Sequence, residues 1–206
     1  MSAMTRPRPR VAAAAAATVA AAAALALTGC SSSGSSGSGE GQVGFVTVKG
    51  TNLSTAAAGS RGEAPDISGT TLEGTPAKLS DYRGKVVVLN VWGSWCGPCR
   101  AEAKSLQSVS EKYRDQGVQF LGINTRDPEK QNAVRFEQEQ GVTYPSLFDP
   151  AGTQLLKFPK GSLNPQSIPT TLVVDRDGRL AARAVGGTTE EALESILRPV
   201  VAEQKQ

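Results

Sequence analysis

The chain has 206 residues, none of them histidine and only three of them cysteine. Without histidine, neither a Ser-His-Asp triad nor a Cys-His nucleophile–base pair can form within it. A histidine-bearing zinc or copper site is excluded on the same ground. Three thiolates are also one short of an all-cysteine zinc site. No resident metal or cofactor is expected. A basic surface is missing too. The formal net charge of +3 is matched by Arg6, Arg8 and Arg10, which stand in a stretch without acids, so the rest of the chain is balanced. Nucleic acid is therefore not an expected partner.

Long apolar runs are equally scarce. The one candidate, Val11 to Leu27, is short and rich in alanine, and it makes a poor transmembrane span. Three arginines precede it and Leu27-Thr28-Gly29-Cys30 closes it. A positive region, an apolar region and a small-residue site read as a secretory signal peptide over residues 1–29. The closing tetrapeptide resembles the bacterial lipobox. That resemblance implies that Cys30 carries lipid and becomes the first residue of an exported, membrane-anchored protein. Residues 31–41 are Ser and Gly apart from Glu40. They predict a flexible tether within residues 30–62, of which Gln42–Lys49 could form a short docking strand. A coil of that length would reach about 30 Å.

From Ala64 onward the pattern alternates between strands and helices, which assigns residues 63–206 to one folded domain. Lys85–Val91 is a valine-rich run of the kind buried on both sheet faces. A helix is predicted from Pro98 to about Asp115, with Ala103, Leu106, Val109 and Tyr113 on one face. Val118–Asn124 predicts a second buried strand. Pro128–Gln140 predicts a helix with proline in its first turn. Thr170–Asp175 and Leu180–Val185 predict a hairpin turning at Asp177-Gly178. Thr188 and Glu191 predict a capping box for the last helix. The order implies an α/β three-layer sandwich with a central mixed sheet and helices on both faces.

The remaining cysteines stand in Trp92-Gly93-Ser94-Trp95-Cys96-Gly97-Pro98-Cys99, between the first buried strand and the first helix. At a helix start the dipole and free N–H groups favour a thiolate, which makes Cys96 the candidate attacking thiol. Cys99, one turn in, is the candidate resolving thiol. Pro98 has no N–H to lose there and Gly97 completes the turn. Such a spacing can be a redox pair, half of a zinc site or a static disulfide. Zinc fails on ligand count, and a static bridge closing so small a loop stabilises little. Redox exchange is the reading adopted.

This WCGPC run, Trp92 before it and Ile168-Pro169-Thr170 ahead of the hairpin resemble the thioredoxin superfamily. The Ala64-Pro65-Asp66 opening, Leu79-Ser80-Asp81-Tyr82-Arg83-Gly84-Lys85 and Cys99-Arg100-Ala101-Glu102 resemble its TlpA/ResA branch of membrane-tethered thiol–disulfide reductases. The resemblance covers roughly residues 63–200. It implies a cis peptide at Pro169 beside the disulfide, where from sequence alone Pro169 could be an ordinary strand-edge proline. It also implies that Ile168 presents backbone to a substrate, with Trp92 and Trp95 framing the site. Cytoplasmic thioredoxins carry a buried Asp where this chain has Asn90, and Glu102 is its expected replacement as proton acceptor for Cys99. The bland alternative is a surface Glu complementing the helix N-terminus. Lys104 stands where many relatives bend this helix with proline. The partners implied are disulfide-containing exported proteins, apocytochrome c among them, and a membrane thiol relay as electron donor. The location implied is the outer face of the cytoplasmic membrane. Oxidation or isomerisation, peroxidase chemistry and a purely binding lipoprotein are the competing functions. Peroxiredoxins share the Tyr82-Arg83-Gly84-Lys85 lead-in, but Ser94-Trp95-Cys96 departs from their cysteine motif.

Overall fold

The computed structural model describes residues 43–203. The expected signal peptide, Cys30 and the Ser/Gly run lie outside the described residues. Two short strands come first, β1 (Val46–Thr47) and β2 (Leu53–Thr55), followed by a separate hairpin of β3 (Ser68–Thr70) and β4 (Pro76–Lys78). The central elements are β5 (Val86–Trp92), α1 (Gly97–Tyr113), β6 (Val118–Thr125), α2 (Lys130–Gln140) and β7 (Ser146–Asp149). The chain closes with β8 (Thr170–Val174), β9 (Leu180–Val185) and α3 (Glu190–Ala202).

The main sheet runs β1-β2-β9-β8-β5-β6-β7. β5, β6 and β7 are parallel, while β8, β9, β2 and β1 add in antiparallel sense. This is the expected mixed sheet. All seven residues of β5 are buried, as its unbroken apolar run requires for the middle of a two-faced sheet. On one face Val86, Val88, Phe120 and Val173 meet Leu106 and Val109 of α1 and Leu193, Ile196 and Leu197 of α3. On the other, Val87, Leu89, Leu121 and Leu172 are covered by Ile67, by Leu79 in a 3-10 turn, and by Leu155 and Phe158. At about 25 cal/mol per Å² of apolar area removed from water, these two layers supply the main drive to fold.

Three expectations need correction. The folded sheet begins well before residue 63, because β2 pairs with β9, Leu53 facing Ala184. That pairing closes an otherwise open edge of β9 and buries Leu53. The second helix starts at Lys130 with Glu129 as its cap, two residues beyond Pro128. The last helix is capped by Thr189, whose Oγ1 accepts from the Ala192 N–H at 3.2 Å. Moving the cap one residue puts alanine at the third helical position, so no capping box with Glu191 forms. The N–H of Thr188 is instead engaged in the site described next.

The expected hairpin turn is present. Gly178 has φ +82°, and the Asp175 carboxylate accepts from the N–H groups of Asp177 and Arg179. α1 runs unbroken through Lys104.

Candidate active site

Cys96 is the N-cap of α1, and its Sγ accepts from the Cys99 N–H at 3.2 Å. The two sulfurs are joined in a disulfide across a Cα–Cα distance of 5.2 Å. In this oxidised state both cysteines are buried, Cys96 at 4% and Cys99 at 2% exposure, so burial barely separates them. Their surroundings do. Trp95, Gly97 and Pro98 around Cys96 are exposed, whereas Cys99 shares its helix face with buried Glu102 and Ala103. The reduced Cys96 would keep the Cys99 N–H as a donor to its sulfur at the positive end of α1, where a thiolate is favoured.

Glu102 is 3% exposed and lies one turn beyond Cys99. Its Oε1 accepts from Asn90 Nδ2 at 2.9 Å, and its Oε2 accepts from the Thr188 N–H at 2.9 Å. Asn90 also donates to Thr171 Oγ1 at 3.2 Å, so the amide is held from two sides. Burial pushes the Glu102 carboxyl up to about 7, against the opposing pull of the Thr188 and Asn90 hydrogen bonds. A carboxyl of that affinity can take or give a proton near neutral pH. The surface-Glu alternative does not describe this side chain.

The Ile168–Pro169 peptide is cis. The Pro169 carbonyl accepts from the Gly186 N–H at 2.8 Å, tying this segment to the loop that carries Thr188. Ile168 is half-buried against the clusters that contain the cysteines and the lower core. Trp92 and Trp95 take opposite positions. Trp92 is buried, stacks on Phe136 with centroids 4.6 Å apart and donates from Nε1 to Ser146 Oγ at 3.2 Å. Its indole passes over Gly122, where a Cβ would collide with Ser146 Oγ and lie 2.9 Å from Trp92 Nε1. Only glycine leaves that path open. Trp95 is 53% exposed and donates from Nε1 to the Arg126 carbonyl at 3.1 Å.

A buried sulfur pair at a helix start, a buried carboxyl one turn further along that helix and a cis proline preceded by Ile168, which packs on the same cluster as the cysteines, form the constellation of dithiol–disulfide exchange. Comparison with known proteins agrees. A family model described as the AhpC/TSA family matches residues 61–183. The thiol-disulfide oxidoreductase ResA of Geobacillus thermodenitrificans is 35% identical over 150 residues, spanning 73% of this chain and 82% of that protein. This chain belongs to the thioredoxin-like thiol–disulfide oxidoreductases of the AhpC/TSA family. Among solved structures, a secreted thiol-disulfide isomerase from Corynebacterium glutamicum is similar, with TM-score 0.71 and 34% identity over 79% of this chain and 99% of that one. A DsbF homologue from Corynebacterium diphtheriae gives TM-score 0.69 and 34% identity over 77% and 99%.

In this oxidoreductase, several residues that shape the site were not expected from sequence. Asp127 accepts from the Ser94 N–H at 2.8 Å, from Ser94 Oγ at 2.5 Å and from Asn124 Nδ2 at 2.7 Å. It thereby fixes the turn that leads into Cys96. Thr188 supplies a backbone N–H, which its side chain does not advertise. Glu137 on α2 is a further buried carboxyl, pushed up to about 7 by burial. An acidic residue in a polar helix gave no signal that it points inward.

Proposed function

We propose that the protein is a disulfide reductase acting outside the cytoplasmic membrane. The observation that carries its exchange chemistry is Cys96 at the N-cap of α1 with Glu102 buried one turn beyond Cys99. The reduced Cys96 thiolate attacks a substrate disulfide, forming a mixed disulfide and releasing one substrate thiolate. Cys99 then gives its proton to the Glu102 carboxylate and attacks Cys96 Sγ. The second substrate sulfur leaves as a thiolate and is protonated, and the Cys96–Cys99 disulfide of this structure results. Two electrons pass from the protein to the substrate. A membrane thiol relay would restore the dithiol. Exported proteins with paired cysteines, such as apocytochrome c, fit as substrates.

The Gly97-Pro98 spacer, similar to that of reducing thioredoxins, supports this direction. The solved relative described as an isomerase supports a second reading, isomerisation. Equilibration of the full chain with dithiothreitol buffers separates a reductant from a strong oxidant. The reductase reading expects a potential nearer the roughly −270 mV of thioredoxin than the roughly −120 mV of a strong oxidant such as DsbA. A value near the oxidant end would overturn it.

Anchoring through lipid on Cys30 completes the proposal. It is supported by the lipobox-like Leu27-Thr28-Gly29-Cys30 and the Ser/Gly segment that follows. Cys30→Ala is expected to move the protein from the membrane fraction to the soluble or secreted fraction. Unchanged membrane retention would contradict the anchor.

A further inference from the structure

We infer that the rim of the active site around Ser94 and Trp95 selects substrate segments that carry carboxylates beside the target disulfide. This rests on the redox reading above and adds the chemistry of the substrate to it.

The first observation is Arg126, which follows directly on β6. It is the only non-glycine residue with positive φ among the described residues, at +59°. Arginine has no special tolerance for that region, unlike asparagine or aspartate. The backbone there turns its carbonyl to Trp95 Nε1 while its guanidinium lies over the Trp95 ring, 4.9 Å from the centroid. The charge is therefore held beside the exposed residue that immediately precedes Cys96.

The second observation is that this guanidinium has no acceptor. Nε and Nη2 are buried without a hydrogen-bond partner, and no ion pair among the described residues includes Arg126. These two nitrogens form one edge of the planar fork that matches a carboxylate. The adjacent Asp127 does not fill it, because its oxygens take Ser94 and Asn124 instead. Their burial leaves the guanidinium charge uncompensated by the chain, so it acts on a substrate as a nearby positive charge rather than through these two donors.

The third observation is a groove with Ser94 in its lining. It has a volume of about 280 Å³ and is lined by Ser94, Arg100, Asn132, Arg135, Phe136 and Glu139. Arg100 pairs with Glu139 at 3.1 Å and donates to the Ser94 carbonyl at 3.2 Å. Arg135 is exposed and has no ion pair among the described residues. Two unpaired guanidinium groups thus border the Ser94-Trp95 step, one over the indole and one in the groove. Ser94 and Trp95 directly precede Cys96, so a peptide whose sulfur Cys96 attacks has this step beside it. Acidic residues on that peptide meet complementary charge, and basic ones meet repulsion.

The test uses the full chain and three cyclic peptide disulfides of one core sequence, flanked by Asp/Glu, by Asn/Gln or by Lys. At low ionic strength the acidic peptide is expected to show a roughly fivefold higher kcat/KM than the neutral one, and the Lys peptide a lower value. High salt should compress the series. The double variant Arg126→Gln/Arg135→Gln is expected to bring the acidic-to-neutral ratio close to one. Arg135→Gln alone, on an exposed helix position, should lower the ratio part-way and does not depend on the Arg126 backbone. Arg179→Gln removes equal charge from the hairpin at the far end of β8 and should leave the ratio as in wild type. Equal rates for the three peptides, or a ratio that survives the double variant, would overturn this inference alone. Failure to reduce any of them would overturn the redox reading and this inference with it.

Discussion

Cys99→Ser is expected to turn the protein into a trap that accumulates mixed disulfides through Cys96. With the second thiol gone, the covalent intermediate can be resolved only by an outside thiol. Non-reducing electrophoresis of acid-quenched cells should show the variant shifted into adducts with exported proteins, which collapse on reduction. Cys96→Ser should form no such adducts and lose turnover by roughly a thousandfold or more, since the remaining thiol, Cys99, lies on the buried face of α1. The asymmetry follows from position. Cys96 caps the helix and has exposed neighbours, and Cys99 faces the buried Glu102 side of α1. Adducts forming as readily through Cys99 in a Cys96→Ser protein would contradict the assignment of the two roles.

Glu102→Gln should slow the resolving step by about a hundredfold and remove its rise with pH near 7. The carboxyl titrates at about 7 because burial disfavours its charge. Below that pH it is already protonated and cannot accept the Cys99 proton; above it, it can. Glutamine keeps an oxygen for Asn90 or Thr188 but takes no proton. Stopped-flow exchange with a peptide disulfide from pH 5 to 9 reads the difference, and an unchanged profile would make Glu102 a structural residue only. Stability gives a second readout. A carboxyl raised from 4.5 in the unfolded chain to about 7 in the fold binds more protons when folded. Its stabilising effect is therefore complete below about 4.5 and is lost as pH rises through about 7, a swing on the order of 3 kcal/mol. Glu137 is shifted to about 7 by the same cause and adds a similar slope. The variant should thus lose about half of the wild type's decline in chemical-denaturation stability over that window.

Features set by local sequence are legible in the chain itself. The valine run of β5 could only be an inner strand, and Cys96-Gly97-Pro98-Cys99 marked both a helix start and its chemistry. The Asp177-Gly178 turn followed from the need for positive φ. What escaped notice depends on distant pairing. β2 is three residues long and exists because β9 offers an open edge. β7 is four residues whose parallel partner lies more than twenty positions away. Thr188 looks like a helix cap in sequence, yet its N–H is taken by a carboxylate from another helix. Arg126 and Glu137 carry charges whose placement is decided by which neighbours lack a matching group. Of the expected site, Glu102 combined both kinds of information. Its spacing from Cys99 placed it on the right face, but only the fold shows it buried against Asn90 and Thr188.

The most direct measurement of the central claim is the redox state of the Cys96–Cys99 pair in growing cells. Cells are quenched in acid, the thiols are blocked with a mass-shifting reagent, and the extracted protein is resolved by size. A reductase fed by a membrane relay is predicted to be found largely as the dithiol, although the compartment proposed for it is oxidising. A pair found almost wholly as the disulfide in growing cells would contradict the reductase account.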